Sequence, residues 1–100
     1  MFQRAISLEP DSSEGLNNLG ILICGTNNAE GMHYIRRAIE ANPENVQAHN
    51  SLGNALVRAG DLPAAADSYR AAIRLGGLAE AKQNLEYILR LPEVESAIKE

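Results

Sequence analysis

Cys24, His33 and His49 are the residues of this chain best suited to hold a metal ion or to act as a nucleophile and its base. Their spacing supports neither role. Zinc ligands come as closely spaced Cys and His pairs, and neither histidine stands in that relation to Cys24. Ser51 falls on a helical stretch with no paired base in the sequence, so its hydroxyl has nothing to take the proton. Gly20, Gly25 and Gly31 follow helical stretches, not a strand, so they do not make a phosphate-cradling loop. Arg36-Arg37 is too short for a nucleic-acid patch, and Arg58, Arg70, Arg74 and Arg90 are spread over different helices. Glu93, Glu95 and Glu100 read as a solvated face. No cofactor or metal is expected, and the chain reads as a non-enzyme.

Bulk properties narrow the partners. A net charge of −4 argues against a nucleic-acid backbone or an anionic membrane as the surface bound. No apolar run approaches the roughly 20 residues that a membrane span needs. Met1-Phe2-Gln3-Arg4 is not followed by an apolar segment, so no signal peptide is visible. With one cysteine there is no internal disulfide, which fits a reducing compartment. The expected location is cytoplasmic.

The elements that must position any site are helices. Phe2, Ala5 and Ile6 make a stripe at helical spacing that Pro10 stops. Asp11-Ser12-Ser13 supplies capping side chains for a helix from about Ser13 to Cys24, whose expected buried face is Leu16, Leu19, Leu22 and Ile23. Gly25-Thr26-Asn27-Asn28 is a turn. The next helix runs from about Ala29 to Ala41 with Met32, Ile35, Ala38 and Ile39 inward, and Asn42-Pro43-Glu44-Asn45 ends it. The cycle repeats with helices at about Val46–Ala59 and Leu62–Leu75, joined by Gly60-Asp61. After Gly76-Gly77 a helix is expected over Ala79–Leu91, then a short tail helix with Val94 and Ile98 on one face.

Self-similarity sets the architecture. Phe2, Ile35 and Tyr69 align, as do Ala5, Ala38 and Ala72, and Ile6, Ile39 and Ile73, at spacings of 33 or 34 residues. Leu19, Leu52 and Leu85 align on the first helices, followed by Gly20, Gly53 and Glu86. Each glycine lets two helices approach closely. Glu86 fits a helix with no regular second helix against it, and Ala79–Leu91 therefore reads as a terminal cap. The expected organisation is one all-α domain, a right-handed stack of antiparallel helical hairpins. Residues 1–12 form the second helix of an incomplete repeat, 13–45 and 46–78 two repeats, 79–91 the cap and 92–100 the tail. The incomplete first repeat suggests a piece of a longer array. The other possibility is an orphan helix covered by another chain, with weak self-association through it.

This pattern resembles the tetratricopeptide repeat. One unit carries His49, Leu52-Gly53, Leu56, Ala65, Tyr69 and Gly77, and the other carries Leu16, Leu19-Gly20, Ile23, Gly31, Ile35 and Pro43. His49 and Leu16 replace the family's usual Trp, and Gly77 replaces its Pro. The resemblance implies a module that binds a protein or an extended peptide on the concave side, lined by the first helix of each hairpin. It places Glu14, Asn17, Asn18, Ile21 and Cys24 there from the first unit. Gln47, Asn50, Ser51, Asn54, Val57 and Arg58 come from the second, and Glu80, Gln83, Asn84, Tyr87 and Arg90 from the cap. Amides dominate two rows, Asn17, Asn50 and Gln83 and Asn18, Ser51 and Asn84, although a solvated face that tolerates Asn is the competing reading. The amide pattern is similar to the repeat arm of O-linked N-acetylglucosamine transferases. That likeness implies an alternative role as the substrate-presenting arm of a larger enzyme, and self-assembly is a third. Asn17, where the dicarboxylate clamp of chaperone adaptors needs a Lys, argues against such a clamp.

Overall fold

Four short polar side chains decide where the helices begin. In a computed structural model that describes residues 12–77 and 79–90, Ser12, Asn27, Asn45 and Asp61 each accept a hydrogen bond from a backbone N–H in the first turn of the following helix. These bonds satisfy donors that a helix leaves unpaired at its start. The elements are α1 (Ser13–Cys24), α2 (Asn28–Ala41), α3 (Val46–Ala59), α4 (Leu62–Arg74) and α5 (Ala79–Leu89), with no strand among the described residues. The bounds of α1 and α3 are those expected from the sequence. Helix α2 starts one residue earlier than expected, because Asn27 serves as its cap. The helix expected at the N-terminus, the self-association assigned to it and the tail helix near the C-terminus all lie outside the described residues.

Two glycines close helices in a way other residues could not. Gly60 ends α3 at φ 86°, and Gly77 follows α4 at φ 72°. Both lie in the left-handed region that glycine enters without penalty. Proline, locked near −65°, cannot occupy position 77, which accounts for the departure from the pattern there.

The helices stack as hairpins. Helix α1 packs on α2, α2 on α3, α3 on α4 and α4 on α5, and α1 also touches α3. One core cluster joins α3, α4 and α5 through Leu56, Ala65, Ala66, Tyr69, Ala72, Ala81 and Ile88. A smaller one joins α1, α2 and α3 through Leu16, Ala38 and Ala48. Side chains this small bring helix backbones close. A Cβ built on Gly20 would stand 2.6 Å from Ile35 Cγ1 and 2.8 Å from the Gly31 carbonyl oxygen. One built on Gly53 would stand 2.5 Å from Tyr69 Cε1. A hydrogen-bond relay then ties the first hairpin to α3. Ala48 N–H donates to Asn45 Oδ1, Asn45 Nδ2 donates to Ser13 Oγ at 2.8 Å, and Ser13 Oγ donates to the Ala38 carbonyl at 2.7 Å.

One expectation fails. Leu19 and Leu22 do not belong to the buried face of α1, since they are 40% and 75% exposed, and Ile23 is only half-buried. Among the described residues α2 and α3 are the helices that pack substantially on α1. The equivalent residues further along, Leu52 and Ala55 on α3 and Leu85 and Ile88 on α5, are buried or lie against the larger cluster. The side of α1 that carries Leu19 and Leu22 has no such neighbour among the described residues.

The close contact at Gly53 generates a test. Gly53→Leu must displace the Tyr69 ring, and such overpacking costs about 1–3 kcal/mol. Glu86, at the equivalent place on α5, is exposed. Thermal melts should show a large fall in Tm for Gly53→Leu and little change for Glu86→Leu; equal losses would contradict the packing described.

Candidate functional site

The inner faces of α1 and α3, with the start of α5, enclose a groove of about 410 Å³. Asn17, Asn18, Ile21, Gln47, Asn50, Ser51, Asn54 and Arg58 line it, together with Cys24, Ile35, Ala55 and Glu80. The groove exists because the helices repeat with the same face inward, so residues about 33 apart in sequence come side by side. Val57, Gln83, Asn84 and Tyr87, placed on the same concave side from sequence, do not line this groove. Val57 is half-buried, Gln83 is exposed and Tyr87 is 62% exposed. Two lining residues were not anticipated. Ile35 was read as core and is fully buried, yet it also floors the groove, as Ala55 does; the helical period alone does not show that a core residue reaches a cavity wall.

The amides are not equivalent. Asn17, Asn50 and Ser51 are buried, whereas Asn18, Gln47 and Asn54 are exposed. On the α3–α5 side they bond to one another. Asn84 Nδ2 donates to Asn50 Oδ1 at 3.4 Å and to Asn54 Oδ1 at 3.3 Å, and the Tyr69 hydroxyl also donates to Asn54 Oδ1. Asn50 and Asn84 therefore serve the stack's own packing. On the α1 side, Asn17 Oδ1 is buried with no partner.

Charge enters the groove at two places. Arg58, in the last turn of α3, extends its guanidinium toward the Cys24 carbonyl at 3.5 Å. A cation there suits the unpaired carbonyls at the end of α1. Among the described residues the one ion pair is Arg70 with Asp67 at 3.5 Å, so no described carboxylate pairs with Arg58. Glu80 lies in the first turn of α5. Burial pushes the Cys24 thiol up, and the Arg58 charge opposes that shift. Burial, with the Glu80 carboxylate adding to it, pushes the Tyr69 phenol up to about 12.

Nothing in the groove assembles a reactive centre. His49 Nε2 lies 2.8 Å from the Pro43 carbonyl oxygen, and the exposed His33 meets the Tyr34 ring edge-on at 5.4 Å. Neither histidine lines the groove. No group of three or more His, Cys, Asp or Glu among the described residues could hold a metal ion. No described helix is long and apolar enough to cross a membrane. What the groove offers is hydrogen-bonding amides, a cation and an apolar wall.

A family model described as tetratricopeptide repeat matches residues 26–80. No curated protein matches the sequence.

The raised Tyr69 pKa has a defined consequence for stability. A phenol held neutral in the fold contributes stability that is complete below the unfolded value near 10 and is lost as pH climbs from there toward 12. Urea midpoints measured across that range should fall more steeply for the native chain than for Tyr69→Phe. Parallel profiles would contradict the assigned environment.

Proposed function

Because this chain belongs to the tetratricopeptide repeat family, whose repeats generally mediate protein–protein interaction, we propose that it is a non-catalytic interaction module and that its α1–α3 groove holds an extended segment of a partner protein. The groove's lining carries this reading. An extended peptide presents main-chain donors and acceptors whatever its sequence, and a side-chain amide can answer both. Asn18 and Gln47 are exposed in one cleft with the Arg58 cation, and Asn54, whose Oδ1 is taken by Tyr69 and Asn84, keeps its Nδ2 donor there. Ile21 and Ile35 supply an apolar wall beside them.

Each such bond contributes only about 0.5–1.5 kcal/mol net. The groove should therefore bind weakly by itself, and an array that extends it should bind more tightly through more contacts. A role as the substrate-presenting arm of a larger enzyme rests on the resemblance of the asparagine pattern alone. Only Asn18 and Asn84 match that pattern, with Ser51 interrupting it, and Asn84 is engaged with Asn50 and Asn54.

Asn18 and Arg58 are exposed, and truncating them removes only the long 3.5 Å contact to the carbonyl of the half-buried Cys24. In quantitative affinity capture from cells, the double variant Asn18→Ala with Arg58→Ala should recover several-fold less partner protein than the native chain at unchanged Tm. Arg70→Ala, which lies outside the groove lining, should recover the same amount. Loss of capture with Arg70→Ala and none with the double variant would overturn the groove reading.

A further inference from the structure

The two sides of the groove differ by a substitution that breaks a polar network. On the α3–α5 side, Asn84 reaches across 34 positions of sequence to Asn50 and also bonds Asn54, which the Tyr69 hydroxyl bonds in turn. One repeat earlier the same places are held by Ser51, Asn17, Ile21 and Ile35, with Ser51 again 34 positions from Asn17. A serine hydroxyl is shorter than a carboxamide and makes no bond to Asn17. Ile21 and Ile35 are apolar, so they replace the rest of the network with a greasy wall. Asn17 is left only 2% exposed, with a carbonyl oxygen that has no partner. All four of these residues line the groove. The groove therefore runs from the intact network at Asn50 and Asn54 to the place where that network is interrupted.

Unpaired buried carbonyl oxygens are uncommon and call for a donor. The missing donor in the equivalent place is an amide N–H, that of Asn84. The terminal torsion of Asn is broad and roughly two-fold, so rotation can turn the Asn17 amide toward the groove. We propose that the gap between Asn17 and Ser51 is the groove's primary binding position and that it accepts an amide N–H of an extended peptide, which replaces the donor Ser51 does not supply. The inference rests on the groove reading above and narrows it. Recognition centres on α1, and the ligand must bring a main-chain donor and not only an acceptor.

The test uses the whole chain and two probes, acetyl-tetra-alanine dimethylamide, unmethylated at its alanine nitrogens, and the same peptide N-methylated at every alanine, which keeps the carbonyls but has no amide N–H. Side-chain and backbone amide shifts are followed by NMR up to about 10 mM peptide, the range of weak affinity expected. The unmethylated peptide should shift the Asn17 side-chain resonances saturably, and the methylated one should bind at least about fivefold more weakly, a difference of about 1 kcal/mol. Ser51→Asn should restore the internal bond, raise Tm and weaken binding of the unmethylated peptide about tenfold. If that variant does not fold, the pair of peptides on the native chain still decides. Equal binding of both peptides in the groove overturns this inference and leaves the groove reading standing. The same holds if other groove resonances shift while Asn17 does not, since Asn17 then holds water only. A peptide that shifts no groove residue overturns both.

Discussion

Helix backbones in this chain must approach closely enough that no Cβ fits at the crossing points. Gly20 faces Gly31 and Ile35, and Gly53 faces the Tyr69 ring. Everything else in the structure follows from that approach. Fully buried alanines, among them Ala38, Ala48, Ala65 and Ala72, occupy the places where bulkier side chains would force the helices apart. The larger side chains, Tyr69, Ile35 and Ile88, fill the volume that remains. Each hairpin buries little by itself, so stability comes from stacking one on the next. The Asn45–Ser13–Ala38 relay fastens one such junction.

Stacking identical faces also creates the groove. Inner-face residues of α1 and α3 fall alongside one another, and whatever polarity they carry becomes a continuous track. Between α3 and α5 the track is consumed by internal bonds among Asn50, Asn54, Tyr69 and Asn84. Between α1 and α3 it is open. On the proposed reading, stability and binding draw on the same positions: Asn84 bonds across to Asn50, whereas Ser51 at the equivalent place makes no bond to Asn17, whose Oδ1 is left without a partner. Natural chains keep such local conflicts where function requires them.

Much of this was legible in the residues. Apolar spacing and capping side chains placed the helices to within a residue or two, and the recurring small residues at Gly20, Gly31, Gly53 and Ala65 marked the close crossings. Ten of the residues placed on the concave side from sequence line one groove. What could not be read is a matter of neighbours and reach. The pattern of α1 marks Leu19 and Leu22 as apolar, but nothing in it says whether another helix covers them. A row of Asn residues looks like a set of free ligand contacts. Whether two of them stand within bonding distance depends on helix separation at the level of an ångström, which periodicity does not carry. Gly77 shows the reverse case: it departs from the repeat pattern, and the left-handed backbone there gives the reason.

The central claim is that this chain meets its partner on the inner surface of α1 and α3 and not on the outer surface of α2 and α4. A model peptide carrying a nitroxide at one end, titrated into the isotopically labelled chain, reads this directly through distance-dependent broadening of amide signals. Broadening should concentrate at Asn17, Asn18, Ile21 and Asn54. Broadening confined instead to the outer surface, at exposed residues such as His33, Arg37 and Arg70, would contradict it.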